Sequence, residues 1–473
     1  MAAITAAAAI TLAIVTQDGA SLRAAPSAQA ATHAALGAGD LVELRGERLD
    51  HWQVYDHRRE RAGYVRATQL RPVTLTEAEA PQLLAVVRFL RDTPGAEALG
   101  IAYVAAYLKA VPAAAIGAEP FDALGTMAER LARRASATGA SKSAAAQLET
   151  VAQYGAKFTS YEREGALQLC YDGEAFARVL GMPTSAEQRA RAALALTRHD
   201  CIDPRLAPSA RAALDLARAD RLDALDAAAF ARLPELAKNR LHLRRAGVWS
   251  AIAFQRSRSG APTQSAGQRA LDELAAVNKA ELGDDEQAEY TDSALRVGAS
   301  RWAAQSATAP AARLAFEAHV GDEPGQTCVS LVDPKQGAAK PLARRCTYAT
   351  VWSASARVAA DGRSAVLAVQ PLATWTELWV FRAGRNGWTV DVLPPTSAIE
   401  PGLGYIEFAG FVPGQNKLLV AREARADGKG TRRFEMLSLA SLNAERSAGS
   451  PQLLASFTRW QDPAWKRDSV SLR

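Results

Sequence analysis

The sequence is poor in the residues from which active sites are usually built. Histidine occurs six times in 473 residues, as His33, His51, His57, His199, His242 and His319. There is no H-E-x-x-H zinc site, no G-x-S-x-G nucleophile elbow, no Walker loop and no G-x-G-x-x-G turn. These absences exclude chemistry that travels with a local motif, but not a site that converges from distant strands. No run reaches the eighteen apolar residues of a membrane-spanning helix. Lysine and arginine give a formal charge of +6, yet charged residues make up only 22% of the chain. The basic pieces His57-Arg58-Arg59-Glu60-Arg61, Arg344-Arg345 and Arg432-Arg433 are short and scattered. A nucleic-acid partner, which needs a continuous phosphate-contacting surface, is therefore not expected. No cofactor or metal is expected either.

Cysteine is scarce but informative. Cys170 and Cys201 fall in a helical stretch, Cys328 and Cys346 in a β-rich one, and four cysteines allow three pairings. The pairing 170–201 with 328–346 keeps each bridge inside one region and closes modest loops. No CxxC arrangement or nearby histidine completes a zinc site. Buried free thiols are the alternative. Two disulfides would place the chain outside the cytoplasm, and a periplasmic or secreted bacterial address is expected. The start, MAAITAAAAITLAIVTQDG, is apolar but lacks the basic segment of a signal peptide, so a leader already removed or truncated is expected.

Three textures follow one another, giving a multidomain α+β reading with boundaries at 12–74, 75–293 and 294–473. In the first, Leu41-Val42-Glu43-Leu44, Trp52-Gln53-Val54-Tyr55 and Gly63-Tyr64-Val65 alternate apolar and polar residues with the period of a strand. Asp18-Gly19, Gly39-Asp40 and the charged hairpin Asp56 to Arg61 break them. The alanine-rich stretch after Pro26-Ser27 reads as a loop. Strands this short bury a face by closing on themselves, so a small barrel is expected.

Ser21-Leu22-Arg23-Ala24-Ala25-Pro26-Ser27, Gly39-Asp40 before a strand, Trp52-Gln53-Val54, and Arg61-Ala62-Gly63-Tyr64-Val65 with Leu70 occur in the order that resembles a bacterial SH3-like (SH3b) domain. The resemblance implies an SH3-like β-barrel that binds cell-wall peptides or other proteins and lacks catalysis. Trp52, Tyr55 and Tyr64 would then either line a recognition groove or fill the barrel core.

The middle is alanine-rich and helical in period, with Pro81 near a first turn and short segments separated by Pro or Gly. It predicts an α-helical domain, with Ser257 to Gly267 as an exposed loop and Asp284-Asp285-Glu286 closing a helix. His199, Asp200 and Asp203 form a polar group near Cys201, and Asp203-Pro204 reads as a turn or cap. From about Leu295 strands return. Gly384-Arg385-Asn386-Gly387 and Pro413-Gly414-Gln415-Asn416 are hairpin turns. Residues 360–390 and 410–439 each repeat turn, strand, hairpin, strand and resemble blades of a β-propeller. A partial or small propeller-like antiparallel region is expected, ended by a docked tail containing Trp460 and Trp465 and a closing strand. Trp375, Trp379 and Trp388 are either core or an exposed aromatic platform.

Of the carboxylates, Glu162 and Glu164 form an i,i+2 pair that does not face one side of a helix, while Glu400 and Glu407 flank Pro401 to Tyr405 and are the pair that glycoside hydrolysis would need to bring together. Together these readings favour a non-catalytic periplasmic binding or adaptor protein whose partner is an envelope protein or peptidoglycan. The alternatives are a cell-envelope hydrolase targeted by the SH3-like module, or an inhibitor of a secreted enzyme that uses the 257–267 loop.

Overall fold

The computed structural model describes residues 11–137, 142–163, 166–306, 313–335, 340–397, 402–426 and 429–472. Two compact units emerge: the described residues of Met1–Arg205 with Leu225–Arg232, and Leu206–Ala224 with Leu233–Arg473.

In the first unit, β1 (Thr11–Val15), β2 (Ala20–Arg23), β3 (Thr32–Leu36), β4 (Leu41–Arg48), β5 (His51–Asp56), β6 (Arg61–Arg66) and β7 (Leu70–Val73) form one antiparallel sheet in the order β3-β2-β6-β5-β4-β1-β7. That order has two ends, β3 and β7, which do not pair. The expected SH3-like barrel is thus corrected to an open seven-stranded sheet. The reason lies in β1. Its Ala13 and Val15 join Leu22, Val42, Val54 and Val65 in a core on one face. Ile14 points the other way, into a second core with Leu83, Val87, Leu90, Ile101 and Met127. Helices cover that second face at β1 and β7, where Ile14 and Val73 are buried, so this part of the sheet packs on both sides. The alanine-rich stretch also holds a strand rather than a loop, because Leu36 at the end of β3 is buried.

Those helices are α1 (Ala80–Arg91), α2 (Glu97–Ala110), α3 (Glu119–Ser136) and α4 (Lys142–Ala152). Gly39 lets the sheet approach α2: it has φ +95°, and a Cβ there would strike the Ala98 carbonyl. A hairpin of β8 (Phe158–Arg163) and β9 (Ala166–Tyr171) follows, then α5 (Glu174–Leu180) and α6 (Ala186–Ala195). Ser185 and Gln188 form a capping box at the start of α6.

The Cys170–Cys201 disulfide joins β9 to the segment beyond α6 over a sequence separation of 31, and Cys328–Cys346 spans 18. Two disulfides place the chain in an oxidising, extracytoplasmic compartment. Loop-closure entropy makes each worth about 3–4 kcal/mol, the longer loop slightly more. Replacing Cys170 and Cys201 together by serine is expected to lower the denaturant midpoint of the first unit's transition only. A shift in the second unit's transition instead would contradict this assignment.

The second unit opens with α7 (Pro208–Asp223), while α8 (Ala227–Ala231) returns to the first. Next come α9 (Glu235–Arg258), α10 (Gln264–Ala275) and α11 (Asp284–Ser300). The acidic Asp284-Asp285-Glu286 begins α11 rather than ending a helix, which is where the helix dipole favours negative charge. Strands β10 (Ala315–Val320), β11 (Thr327–Val332) and β12 (Ala343–Thr347) make a three-stranded sheet, with Cys328 and Cys346 directly opposed. Two meanders then follow: β13 (Thr350–Val358), β14 (Ser364–Leu372), β15 (Trp375–Gly384) and β16 (Gly387–Leu393); and β17 (Leu403–Val412), β18 (Lys417–Ala426), β19 (Lys429–Ser438) and β20 (Ala444–Ala448).

These eight strands form a single sheet, joined by the short parallel pairing of Trp375–Thr376 with Gly404–Tyr405. The propeller expectation is corrected here as well. The two blade-like repeats are real four-stranded meanders, but they share one apolar cluster around Val366, Val380, Ile406 and Val420. Their remaining faces are taken by other elements: the three-stranded sheet, helices α9–α11, and a C-terminal strap. No ring of blades forms among the described residues. The strap consists of α12 (Ala455–Trp460) and α13 (Pro463–Asp468) and ends in a 3₁₀ turn, not the expected strand. It is docked all the same: Phe457 and Trp465 pack against Phe434 and Ala409. Gly410 admits it, because a Cβ at that position would meet the Trp460 carbonyl.

Candidate functional site

In the first unit Trp52, Tyr55 and Tyr64 are divided between the two faces of the sheet, and in the second Trp375 and Trp379 are buried. Trp52 lies on the same face of β5 as Val54 and packs against the sheet core. Tyr64 stands opposite Gln53, and Tyr55 opposite Ala62, which puts both tyrosines on the other face. Tyr55 is occupied by the Arg45 guanidinium 4.0 Å above its ring and by His57 at its edge. Trp375 and Trp379 are each only 3% exposed. Trp379 and the half-buried Trp388 pack with Val329 and Leu331, beneath the three-stranded sheet.

The polar groups singled out as chemical candidates are held by their neighbours. His51 pairs with Asp50, His57 with Glu43, and His242 with Glu273 at 2.5 Å. Asp200 is held by Arg198, and Asp203 accepts the amide of Arg205 in a turn of its own. All four cysteines are in disulfides. Glu164 and Glu400 lie outside the described residues, so neither proposed carboxylate pair is seen whole. The non-helical part of the 257–267 stretch shrinks to residues 259–263, between α9 and α10.

Glu407 proves more informative than its sequence setting. In β17, Tyr405, Glu407 and Ala409 alternate with Ile406 and Phe408, so the first three face the helices and the strap. Glu407 is 1% exposed. Its Oε1 pairs with Arg301 Nε at 2.7 Å. Its Oε2 accepts from Trp465 Nε1 at 2.9 Å, Ser469 Oγ at 2.5 Å and Ser471 Oγ at 3.0 Å. The network runs on through Ser471 to the Tyr405 hydroxyl, which donates to Glu423 at 2.6 Å; Glu423 in turn pairs with Arg432. Burial pushes the Tyr405 phenol well above its ordinary range, and the Glu423 and Glu407 carboxylates push it the same way. Burial also raises Glu423, against the pull of Arg432. Tyr405 sits where it does because Gly298 of α11 offers no side chain: a Cβ there would overlap its ring.

Beside this network a small pocket, partly open to solvent, is lined by Arg301, Trp302, Gln305, Arg357, Asp462 and Asp468 together with the Trp465 region of the strap. Its interior is narrow, with room for about one water molecule. Both guanidiniums lie against the Trp302 indole, Arg301 at 3.8 Å and Arg357 at 5.7 Å from the ring centre. Burial lowers the Arg357 guanidinium below its ordinary value; Asp462 opposes this and Arg301 adds to it.

Sequence reasoning missed Arg301 and Arg357, which are separated by 56 positions from one another and carry no motif. Its proposed pairing of Glu407 with Glu400 lies partly outside the described residues. No group of three or more histidine, cysteine or acidic side chains arranged to hold a metal occurs among the described residues. No helix among them is long and apolar enough to cross a membrane. Comparison with known proteins leaves the family open: no family model, no curated protein and no solved structure matches the chain.

Proposed function

We propose that this chain is a non-catalytic binding or adaptor protein of the bacterial periplasm, whose partner is an envelope protein or a cell-wall component. The observation that carries this reading is the state of Glu407, the best-placed buried carboxylate. Its Oε2 accepts from one indole and two hydroxyls, and its Oε1 lies in ion-pair contact with Arg301. A general acid or base must reach a substrate proton at hydrogen-bond distance, and a carboxylate only 1% exposed and enclosed by its own chain is out of a substrate's reach. The histidines 51, 57 and 242 are likewise tied to carboxylates, and the thiols are consumed in bridges. Such a construction favours rigidity over turnover, and two disulfides suit an extracytoplasmic scaffold.

The test is a pair of assays on the full chain. In the first, the protein is sedimented with purified sacculi and cross-linked in intact envelopes. Retention on sacculi, or one reproducible envelope cross-link, is the expected result. In the second, labelled peptidoglycan and peptide are incubated with the protein. Turnover in that assay would overturn the reading in favour of an envelope hydrolase, and failure of both sedimentation and cross-linking would overturn it outright.

A further inference from the structure

We propose that β10 is an interaction edge, and that it pairs with the β10 of a second copy of this chain, antiparallel about a two-fold axis at Ala318. The three-stranded sheet ends in β10, which among the described residues pairs with β11 alone. Glu317, Ala318, His319 and Val320 are all exposed, Val320 to 84%. Two backbone bonds show which groups face outward. Gly321 donates to the Gln326 carbonyl at 2.8 Å, and the Leu331 carbonyl accepts from Leu342 on the β12 side. Alternation along the ladder then turns the backbone groups of Glu317 and His319 toward β11, and directs those of Phe316, Ala318 and Val320 away from it. Among the described residues no hydrogen bond reaches these outward groups.

A row of unpaired amides and carbonyls is a template for another strand. The order of the side chains selects a second copy. About an axis at Ala318, that residue meets its own counterpart and the two exchange both backbone bonds. Phe316 then faces Val320 of the second copy, and Glu317 faces His319 of the second copy. The Glu317 and His319 side chains make no hydrogen bond or ion pair within their own chain among the described residues. They fall at the non-hydrogen-bonded positions of the new ladder, where side chains stand closest, so an imidazole N–H meets a carboxylate on each side of the axis. The neighbouring registers that keep the outward groups paired set Glu317 against Glu317, or His319 against His319, and like groups directly opposite repel. The other edge of the same sheet is guarded: β12 carries Arg344 and Arg345, whereas β10 holds no lysine, arginine or proline.

The test is sedimentation of the full chain over a range of concentrations. One strand per copy is a contact at the small end of specific interfaces, so a reversible dimer with a dissociation constant of roughly 10–100 µM is expected. Ala318→Pro removes an outward amide and spares the β10–β11 ladder. It acts twice in a symmetric pair and should weaken the dimer about tenfold or more. Glu317→Lys should weaken it as well, by setting donors against donors, and adding His319→Glu should restore it. All four natural cysteines are bridged, so Ala318→Cys introduces a single free thiol on the axis. Air oxidation should link that variant to itself, while Val320→Cys, set off the axis, should stay unlinked. An unchanged melting transition in each variant shows that the fold is intact. A chain that stays monomeric, a dimer indifferent to Ala318→Pro and Glu317→Lys, or a charge swap that fails to rescue overturns the proposal. An Ala318→Cys chain that links in intact envelopes to a different protein, and not to itself, assigns the edge to that protein and overturns self-pairing. None of these results decides the binding-protein reading, whose sacculus and envelope assays do not depend on a dimer.

Discussion

Glu407→Ala is expected to destabilise the second unit by about 3–5 kcal/mol, the range for removing one partner of a buried ion pair. The side chains of Arg301 and Glu407 are 2% and 1% exposed, so water cannot screen the loss. The substitution would strand a guanidinium in the interior and leave the Trp465 indole and two serine hydroxyls without their acceptor. Because those donors belong to the strap, it should loosen as well. Cleavage by trypsin after Arg459 or Lys466 should therefore accelerate along with the fall in denaturant midpoint. Glu407→Gln, which keeps an acceptor but not the charge, should fall between the two. Replacing Arg301 and Glu407 together with apolar residues of similar volume should cost less than Glu407→Ala alone, since a buried pair removed whole leaves no orphaned charge. A Glu407→Ala protein within 1 kcal/mol of the parent would refute this account of the site.

How much of this was legible beforehand depends on the range of the interaction. Local chemistry was readable: the turns at Gly384–Gly387 and Pro413–Asn416 join β15 to β16 and β17 to β18, and the Asp203 turn forms as its side chain dictates. The disulfide pairing followed from the separation of the textures. What failed was closure. Period-two patterning shows that Ala13 and Val15 share a face, but it cannot say whether Ile14 meets solvent or a helix. That second buried face is the difference between a barrel and an open sheet. The same holds for the meanders: their repeats were visible, while the elements that cover them, α9–α11 and the strap, are apolar for reasons a single chain pattern does not reveal. The site was least legible, because Arg301, Arg357, Glu407 and Trp465 sit on four different elements. An arginine in sequence looks like a solvated surface residue until its partner is known.

Glu97→Gln is expected to cost the first unit about 3 kcal/mol at neutral pH and to flatten its acid denaturation. Glu97 opens α2 and is fully buried. Its Oε1 takes Arg130 Nε at 2.5 Å and the amide of Gly95 at 3.1 Å, and its Oε2 takes Arg134. Arg130 also donates to the carbonyls of Arg91 and Thr93, and Arg134 to Gln147, so this one carboxylate ties α1, α2, α3 and α4 together. The two arginine side chains are 25% and 33% exposed, which sets the estimate at the lower end of the range for breaking a buried pair. Burial alone would raise the Glu97 carboxyl. Arg130, the amides of Gly95 and Glu97, and Arg134 outweigh it and hold the group below its ordinary 4.5. A carboxyl depressed in the folded state contributes stability that is fully present above about 4.5 and is lost as pH falls through the folded value. The parent should therefore lose stability on acidification below 4.5 more steeply than Glu97→Gln. Asp122 gives the opposite slope. Burial raises it above 3.8 despite Arg191, so its contribution falls as pH rises through that window. Asp122→Asn should then steepen the net acid loss where Glu97→Gln reduces it. Urea midpoints measured between pH 3 and 7 separate the two, and parallel slopes for parent and Glu97→Gln would show that the carboxylate is not the hub its geometry describes.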